Sequence, residues 1–151
     1  MSGPGSALRH ADPRVEAVVR FYEALQPADL DRLAQLYSEQ AWFKDPFNEV
    51  SGLAAIRRIF AHMFEVLHGP RFVVHDIVAE GDQCFLTWTF SFALSPRAVP
   101  LQVRGTSQLR FAPDGRVAWH RDYWDAAEEL YAQLPVLGVL MRWLQRRLRS
   151  R

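Results

Sequence analysis

The feature that most constrains the fold is a series of four strand-like segments in the second half of the chain, each rich in Val, Phe, Thr or Leu. They are residues 71–79, 83–94, 101–111 and 116–124. Short turn signals such as Gly81-Asp82 and Pro113-Asp114-Gly115 separate them. Because consecutive strands joined by short turns pair with each other, these segments predict an antiparallel sheet.

Helical periodicity precedes the strands. Asp12-Pro13 places an N-cap before a proline at the first helical position, and this predicts a helix over residues 13–26. Leucines at helical spacing predict a second helix after Pro27, and residues 53–67 predict a third. Residues 41–44 are typical of a short strand between the second and third helices.

A further helix is predicted after the last strand. Asp125 and Glu128 form a capping-box pattern, Pro135 interrupts the helix, and a last helix continues to about residue 148. The order of elements predicts an α+β fold: a cone-shaped, curved antiparallel sheet with the N-terminal helices over its concave face and an added C-terminal helix. We expect a flexible leader over residues 1–11, the cone domain over 12–134 and a basic amphipathic helix over 135–151.

Composition excludes several classes of function. The chain has 151 residues, 49% of them hydrophobic, and a net charge of +1, which indicates one globular domain without a polyanionic partner such as nucleic acid. Its single cysteine, Cys84, rules out an intrachain disulfide and a cysteine-rich zinc site. The histidines show no metal-ligand spacing and the sequence has no glycine-rich phosphate loop, so we expect neither a metal nor a cofactor. The first ten residues contain no signal-like apolar stretch, and we expect a cytoplasmic protein.

Two clusters combine aromatic rings with groups that transfer protons. Asp45 has three aromatic residues within three positions, a setting that favours acid–base chemistry. In the second cluster, residues 119–125, strand alternation places His120, Asp122 and Trp124 on one face. If the two clusters line one cavity, the chain encloses an apolar pocket with proton-transfer groups inside it.

Two passages carry a resemblance to known proteins. The passage from Phe21 to Gly52, which contains Lys44-Asp45-Pro46-Phe47, resembles ketosteroid isomerase, and Arg121-Asp122-Tyr123-Trp124-Asp125 resembles limonene epoxide hydrolase. With this order of elements, residues 13–133 resemble the nuclear-transport-factor-2-like superfamily, which also includes polyketide cyclases. The resemblance implies the cone fold and dimerisation through the sheet.

Residue by residue, the resemblance implies a general base at Asp45 and a pocket carboxylate at Asp122. Phe21 stands at the position of the isomerase's catalytic tyrosine and Ser107 at that of its protonated aspartate, so the usual oxyanion hole is missing. Tyr22 lies one helical step of ~100° from Phe21, so it cannot simply substitute for the isomerase's tyrosine.

We therefore expect proton transfer on a small apolar carbonyl compound, with Asp45 as base and Asp122 or His120 as acid or orienting group. Thr89 and Ser91 align with the hydrolase's arginine and its other carboxylate. The expected ligand contacts are Phe21, Tyr22, Phe47, Thr89, Ser91, Ser107 and Trp124. The alternative is a module that binds an apolar molecule or dimerises without chemistry. A cavity filled by its own side chains would contradict both hypotheses and leave a structural module.

Two apolar surfaces need a cover. The face of strand 83–94 that carries Trp88, Phe90 and Phe92 is expected to lie opposite the pocket and to be buried in a homodimer. The tail has an apolar stripe of Leu137, Leu140, Met141, Leu144 and Leu148. Its charges are all positive: Arg142, Arg146, Arg147, Arg149 and Arg151. Such a helix binds an anionic membrane surface or packs on protein, and we favour packing on its own sheet.

Overall fold

The computed structural model describes residues 7–133 and 135–148 of the chain. Residues 1–6 of the expected leader, together with Arg149 and Arg151, lie outside the described residues, and so do the side chains of Met141 and Leu148.

Helical segments form the first third of the fold. They are α1 (Pro13–Glu23), a 3-10 turn (Pro27–Arg32), α2 (Leu33–Leu36) and, after the first two strands, α3 (Leu53–Val66). The side chain of Asp12 accepts a hydrogen bond from the Arg14 amide, so the predicted N-cap is confirmed. The second helix is shorter than predicted, because the residues after Pro27 form a 3-10 turn before α2 begins.

A single sheet of six strands forms the rest of the core. Its strands are β1 (Tyr37–Lys44), β2 (Glu49–Ser51), β3 (His68–Glu80), β4 (Gln83–Ala93), β5 (Leu101–Phe111) and β6 (Val117–Tyr123). Their spatial order is β2-β1-β6-β5-β4-β3, and the sheet is curved and unclosed, which confirms the predicted α+β cone. Neighbouring strands are antiparallel except β1 and β6, which run parallel. The parallel pair brings the strand that precedes Asp45 beside the strand that carries His120 and Asp122.

Strand β4 turns its apolar face inward. Leu86, Trp88 and Phe92 are buried in the hydrophobic core, so the expectation that this face lies opposite the pocket and needs a partner was wrong. Its alternate residues lie on the outer face, where the Thr89 hydroxyl is within 2.8 Å of His75 Nε2. On the neighbouring strand β5, Gly105 makes room for the indole: a Cβ there would lie 2.4 Å from a ring carbon of Trp88.

Helices α1 and α3 supply the other side of this core. The buried side chains of α1 include Val15, Val18 and Val19, and those of α3 are Ile56 and Phe60. Each side chain of this size contributes on the order of 1.5–3 kcal/mol when fully buried. The two helices therefore cover the concave face that holds the inward residues of the sheet.

The C-terminal part begins at a second confirmed N-cap. The side chain of Asp125 accepts hydrogen bonds from the amides of Ala127 and Glu128 and starts α4 (Ala126–Glu129). A 3-10 turn (Tyr131–Gln133) and α5 (Pro135–Leu148) follow. None of the helices within the described residues is long and apolar enough to cross a membrane.

Helix α5 presents its apolar stripe away from the domain. Gly138 is buried against the Ala132 carbonyl, to which the Arg142 guanidinium also donates a hydrogen bond. On other sides of the helix, Leu137, Leu140 and Leu144 remain 37–48% exposed. The expected packing of this stripe on the sheet was therefore wrong, because the helix contacts the domain through the side that carries Gly138 and Arg142.

Candidate active site

A chain of hydrogen-bonded polar side chains crosses the apolar interior of the cone. We call it the buried polar chain, and its members are Trp88, Ser107, Asp122, His120, Tyr37 and Tyr22. His120 is 1% exposed and Tyr37 is fully buried. Because buried polar groups cost free energy unless they are paired, the continuity of this chain is what allows it to lie among apolar side chains.

Strands β5 and β6 provide the centre of the buried polar chain. Ser107 and Asp122 are directly paired across these strands, and the Ser107 hydroxyl lies 2.5 Å from Asp122 Oδ1. His120 is two residues before Asp122 on the same face, and its Nε2 lies 2.6 Å from the same oxygen. One carboxylate oxygen therefore accepts from both neighbours.

Strand β1 and helix α1 provide the other end. Tyr37, the first residue of β1, places its hydroxyl 2.6 Å from His120 Nδ1. Tyr22, near the end of α1, places its hydroxyl against that of Tyr37 and 3.4 Å from His120 Nδ1. The rings of Tyr37 and His120 are also stacked, with centroids 5.9 Å apart.

The direction of every hydrogen bond follows from the chemistry of its ends. The Trp88 indole only donates, so Ser107 accepts from it at 2.8 Å and donates to Asp122. An ionised Asp122 only accepts, which fixes the proton of His120 on Nε2 and leaves Nδ1 to accept from Tyr37. All donors thus point towards Asp122, and Tyr22 stands at the far end.

Burial keeps both tyrosines protonated. Loss of water is the largest cause that raises the pKa of Tyr22 well above its usual value of 10.0, and the charge of Asp122 raises it further. Burial likewise raises the pKa of Tyr37. Both hydroxyls therefore act as hydrogen-bond donors at neutral pH rather than as phenolates.

The cavity beside the buried polar chain is almost filled. Its volume is about 10 Å³, which is roughly the space of one water molecule. Among its walls are Tyr22, Phe72, Trp88 and Asp122. Ser107, His120 and Asp122 therefore border a cavity, but the surrounding side chains fill almost all of it, and the predicted ligand pocket stays a prediction.

A larger groove adjoins this cavity. It has a volume of about 710 Å³ and lies between the end of α1, the end of α3 and the start of β3. Its apolar walls include Leu25, Met63 and Phe64. Tyr22 and Phe72 line both the groove and the cavity, so these two rings separate them. We call this space the mouth groove.

Asp45 lies outside the cavity, in a turn. Its carboxylate accepts hydrogen bonds from the amides of Phe47 and Asn48 and from the Asn48 side chain. This is the arrangement of an Asx turn, in which the side chain stabilises the reversal after β1. Asp45 and Asp122 do line a common open groove of about 580 Å³, which Trp124 also borders. The predicted meeting of the two clusters is thus found at the surface rather than in the interior.

Several predicted contact residues lie elsewhere. Phe21 lines a surface depression with residues of α1 and α2, so the expectation that it lies in the pocket was wrong, while Tyr22 points inward and lines the cavity. The expectation that Thr89 and Ser91 face the cavity was also wrong, because the alternation of β4 places them on the outer face. Phe47 is 56% exposed and packs edge-on against Trp124.

Two members of the buried polar chain were not predicted as site residues. Tyr37 follows the leucines that predict the second helix and was expected on its apolar face, but it is the first residue of β1 and is buried, as are Ala41 and Phe43 of that strand. Trp88 was assigned to the wrong face of β4. The simple rule that apolar residues of an alternating strand point to the core would have placed it inside. Within the described residues, no cluster of His, Cys, Asp or Glu has the arrangement of a metal site.

The fold and this interior define a class of protein: a small α+β cone with acid–base side chains buried under its helices. A family model places the chain within that class. The model of the SnoaL-like domain matches residues 18–120, and the chain belongs to this family. No curated protein matches the sequence significantly.

Solved structures agree with this assignment. A protein with a ketosteroid isomerase-like fold from Catenulispora acidiphila, in complex with trimethylamine, is 16% identical, with a TM-score of 0.70 over 83% of this chain and 96% of that one. A putative SnoaL-like polyketide cyclase from a Jannaschia species is 20% identical, with a TM-score of 0.66 over 82% and 92%. TerC, co-crystallised with polyporic acid, is 20% identical, with a TM-score of 0.66 over 76% and 93%. At these identities the likeness shows the fold.

Proposed function

We propose that this protein is an acid–base enzyme of the isomerase or cyclase type that acts on a small apolar carbonyl compound. The observation that carries the proposal is the buried polar chain, in which two tyrosines, a histidine and a carboxylate are linked inside an apolar core. Membership of the SnoaL-like family, with neighbours described as a polyketide cyclase and an isomerase, supports this class of reaction.

The chemistry follows from the direction of the hydrogen bonds. His120 Nδ1 is the proton acceptor of the buried polar chain, because Nε2 already carries a proton and donates it to Asp122. When the Tyr22 oxygen takes a proton from the substrate, Tyr22 passes its own proton to Tyr37. Tyr37 in turn passes its own proton to His120 Nδ1. The resulting imidazolium lies 2.6 Å from the Asp122 carboxylate, which stabilises its charge. Return of the proton along the same path to a different substrate atom completes an isomerisation or a ring closure.

The substrate class follows from the walls around Tyr22. The mouth groove, about 710 Å³ in volume, is within the usual size range of small-molecule sites. Beside apolar side chains such as Leu25, Met63 and Phe64, its walls include the polar residues Glu23, His68 and Arg71. We propose that the substrate enters there and displaces Phe72, whose ring contacts Tyr22 edge-on at 5.5 Å. A substrate whose acidic C–H reaches the Tyr22 oxygen can lose its proton to the buried polar chain, because the Tyr22 hydroxyl already donates to Tyr37.

The base is the point on which the structure and the resemblance diverge. Asp45, expected as the base, is engaged in its turn, whereas Asp122 supports the histidine inside the core. We propose that His120 and Asp122 provide the base, and that Asp45 shapes the loop beside them.

Paired variants test this assignment in an assay of enone isomerisation and intramolecular aldol cyclisation. Asp122→Asn keeps the shape but removes the charge that supports the imidazolium, and we expect kcat/KM to fall at least ~100-fold. Asp45→Asn should remain about as active as wild type. Ser91→Ala, on the outer face of β4, is the matched control for the effect of a substitution outside the buried polar chain. A large loss in Asp45→Asn with an active Asp122→Asn would overturn the assignment.

A structural module that binds no ligand is the second candidate, because a cavity nearly filled by its own side chains is what that hypothesis predicts. Native mass spectrometry with a panel of apolar ketones separates the two. Absence of both binding and turnover across the panel, in a folded protein, would support the module and contradict the enzyme.

A further inference from the structure

The C-terminal helix carries a surface that the catalytic proposal does not use. Five apolar side chains of α5 are 37–58% exposed: Leu137, Val139, Leu140, Trp143 and Leu144. Single exposed apolar residues are ordinary, but five on one helix form a continuous surface. Such a surface indicates a site that binds a membrane or another molecule.

The helix is held so that this surface stays outward. Gly138 lies so close to the 3-10 turn that a Cβ at its position would be 2.6 Å from the Ala132 carbonyl oxygen. Arg142 donates to the same carbonyl from the next turn of the helix. Residues 137, 140 and 144 lie at other angles around the axis, since each step rotates by ~100°. The contacts with Ala132 therefore turn the leucines away from the domain.

The charges of α5 indicate which kind of partner binds its apolar surface. The helix contains Arg142, Arg146 and Arg147 and no acidic residue. Arg147 lies over the Trp143 ring, with its guanidinium carbon 5.1 Å from the centroid. Exposed leucines and a tryptophan, together with arginines and no acidic residue, are the composition of helices that lie in the interface of an anionic membrane.

A second copy of the chain fits this surface less well. A parallel symmetric pair of α5 helices would bring the same arginines together, which costs free energy. An antiparallel pair would place no acidic residue of α5 opposite them. The 14 residues of α5 also extend over only about 21 Å, which gives one helix face less area than a stable dimer buries. The helix is too short to cross the bilayer, which takes roughly 20 apolar residues.

We propose that α5 docks this protein on an anionic membrane surface, lying parallel to the bilayer with its leucines and Trp143 inserted. The apolar side chains would sink below the head groups, and Arg146 and Arg147 would contact lipid phosphates. A small apolar substrate that partitions into lipid would then be concentrated near the protein.

Sedimentation with vesicles tests the proposal on the full chain. We expect the protein to bind vesicles of phosphatidylcholine with phosphatidylglycerol, to release them as salt rises, and to ignore phosphatidylcholine alone. The double variant Arg146→Glu and Arg147→Glu should bind at least about tenfold more weakly, since each arginine near such a surface contributes about 1 kcal/mol. The control Arg58→Glu with Arg97→Glu makes the same change of net charge at exposed positions elsewhere and should bind like wild type.

The apolar contribution needs its own variant. Leu140→Gln with Leu144→Gln removes two exposed leucines without a change of charge, so the fold is expected to survive, and circular dichroism checks this. We expect vesicle binding to be lost, and the fluorescence of Trp143 to shift to the blue on vesicles in wild type only, with Trp143→Phe as the reference. Equal binding by wild type and both double variants would overturn the proposal. Failure to bind any vesicle would do so too, as would light scattering in which the leucine variant turns a dimer into a monomer. None of these results depends on whether the protein is an enzyme.

Discussion

His120 is the residue on which the interior depends. It is 1% exposed, and its two ring nitrogens connect the tyrosines of α1 and β1 to the carboxylate of β6. The two hydrogen bonds of the ring depend on each other. Without Asp122 no acceptor holds the proton on Nε2, and without Tyr37 the Nδ1 lone pair is buried without a donor. A substitution at any of these positions therefore changes the others.

The two buried tyrosines make the protein less stable as the pH becomes alkaline. Their pKa values are raised in the folded state from a usual value of 10.0, so the unfolded chain loses those protons first. Their contribution is fully present below pH 10 and is lost as pH rises above it. We expect the free energy of unfolding to fall by about 1.4 kcal/mol per pH unit for each of them.

Urea unfolding between pH 8 and pH 11 measures this slope. Tyr37→Phe should be less stable at neutral pH, because His120 Nδ1 loses its 2.6 Å donor, but its alkaline slope should be shallower than that of wild type. Tyr123→Phe, whose side chain is 43% exposed, serves as control. An unchanged slope in Tyr37→Phe would show that this hydroxyl is not held protonated by burial.

Strands β4 and β5 act as one element around the Trp88 ring. The indole crosses to β5, where it donates to Ser107 two residues from Gly105, its directly paired neighbour. The indole ring occupies the space that a side chain at position 105 would take. The Trp88–Gly105 pair therefore fixes the position of the indole at the end of the buried polar chain.

Gly105→Ala is expected to destabilise the protein by roughly 1–3 kcal/mol, the usual cost of forcing an atom into a packed core. The ring is fixed by its bond to Ser107 and cannot move freely aside. Thermal or urea unfolding of a double-mutant cycle with Trp88→Phe isolates the clash. The alanine should cost much less in the Trp88→Phe background, and equal costs in both backgrounds would contradict the steric explanation.

How far the sequence predicts each element depends on whether its signal is local. The caps at Asp12 and Asp125, the turns and the four long strands were predictable, because turn residues and periodicity lie within a few positions of the effect. The parallel pairing of β1 with β6 joins segments some 80 residues apart, and no local pattern indicates it. The face of β4 was misassigned because the alignment of Thr89 and Ser91 with family site positions was preferred to the apolar alternation.

The site was predicted in part for the same reason. His120, Asp122 and Ser107 follow from alternation along β5 and β6, and the structure brings them together. Phe21 was placed at the inward position of α1, and a shift of one residue on a helix puts Tyr22 there instead.

On the scale of the whole molecule, the buried polar chain spans the cone between two openings. Tyr22 lines the mouth groove, and Asp122 borders the open groove shared with Asp45. The helices exclude water from the middle of this path, where hydrogen bonds are stronger than in solvent. A homodimer formed through the outer face of the sheet remains a prediction, although Trp88 no longer supports it, since the monomer buries that side chain.

The proposed chemistry requires His120 to be a neutral base that Asp122 holds inside the cone. Proton–nitrogen correlation spectra of protein labelled with ¹⁵N-histidine read the protonation of each ring nitrogen directly, and His120→Gln assigns the signals. We expect for His120 a protonated Nε2, an unprotonated Nδ1 and slow exchange of the Nε2 proton with water at neutral pH. A proton found on Nδ1, or an Nε2 proton that exchanges as fast as in the exposed histidines, would contradict it.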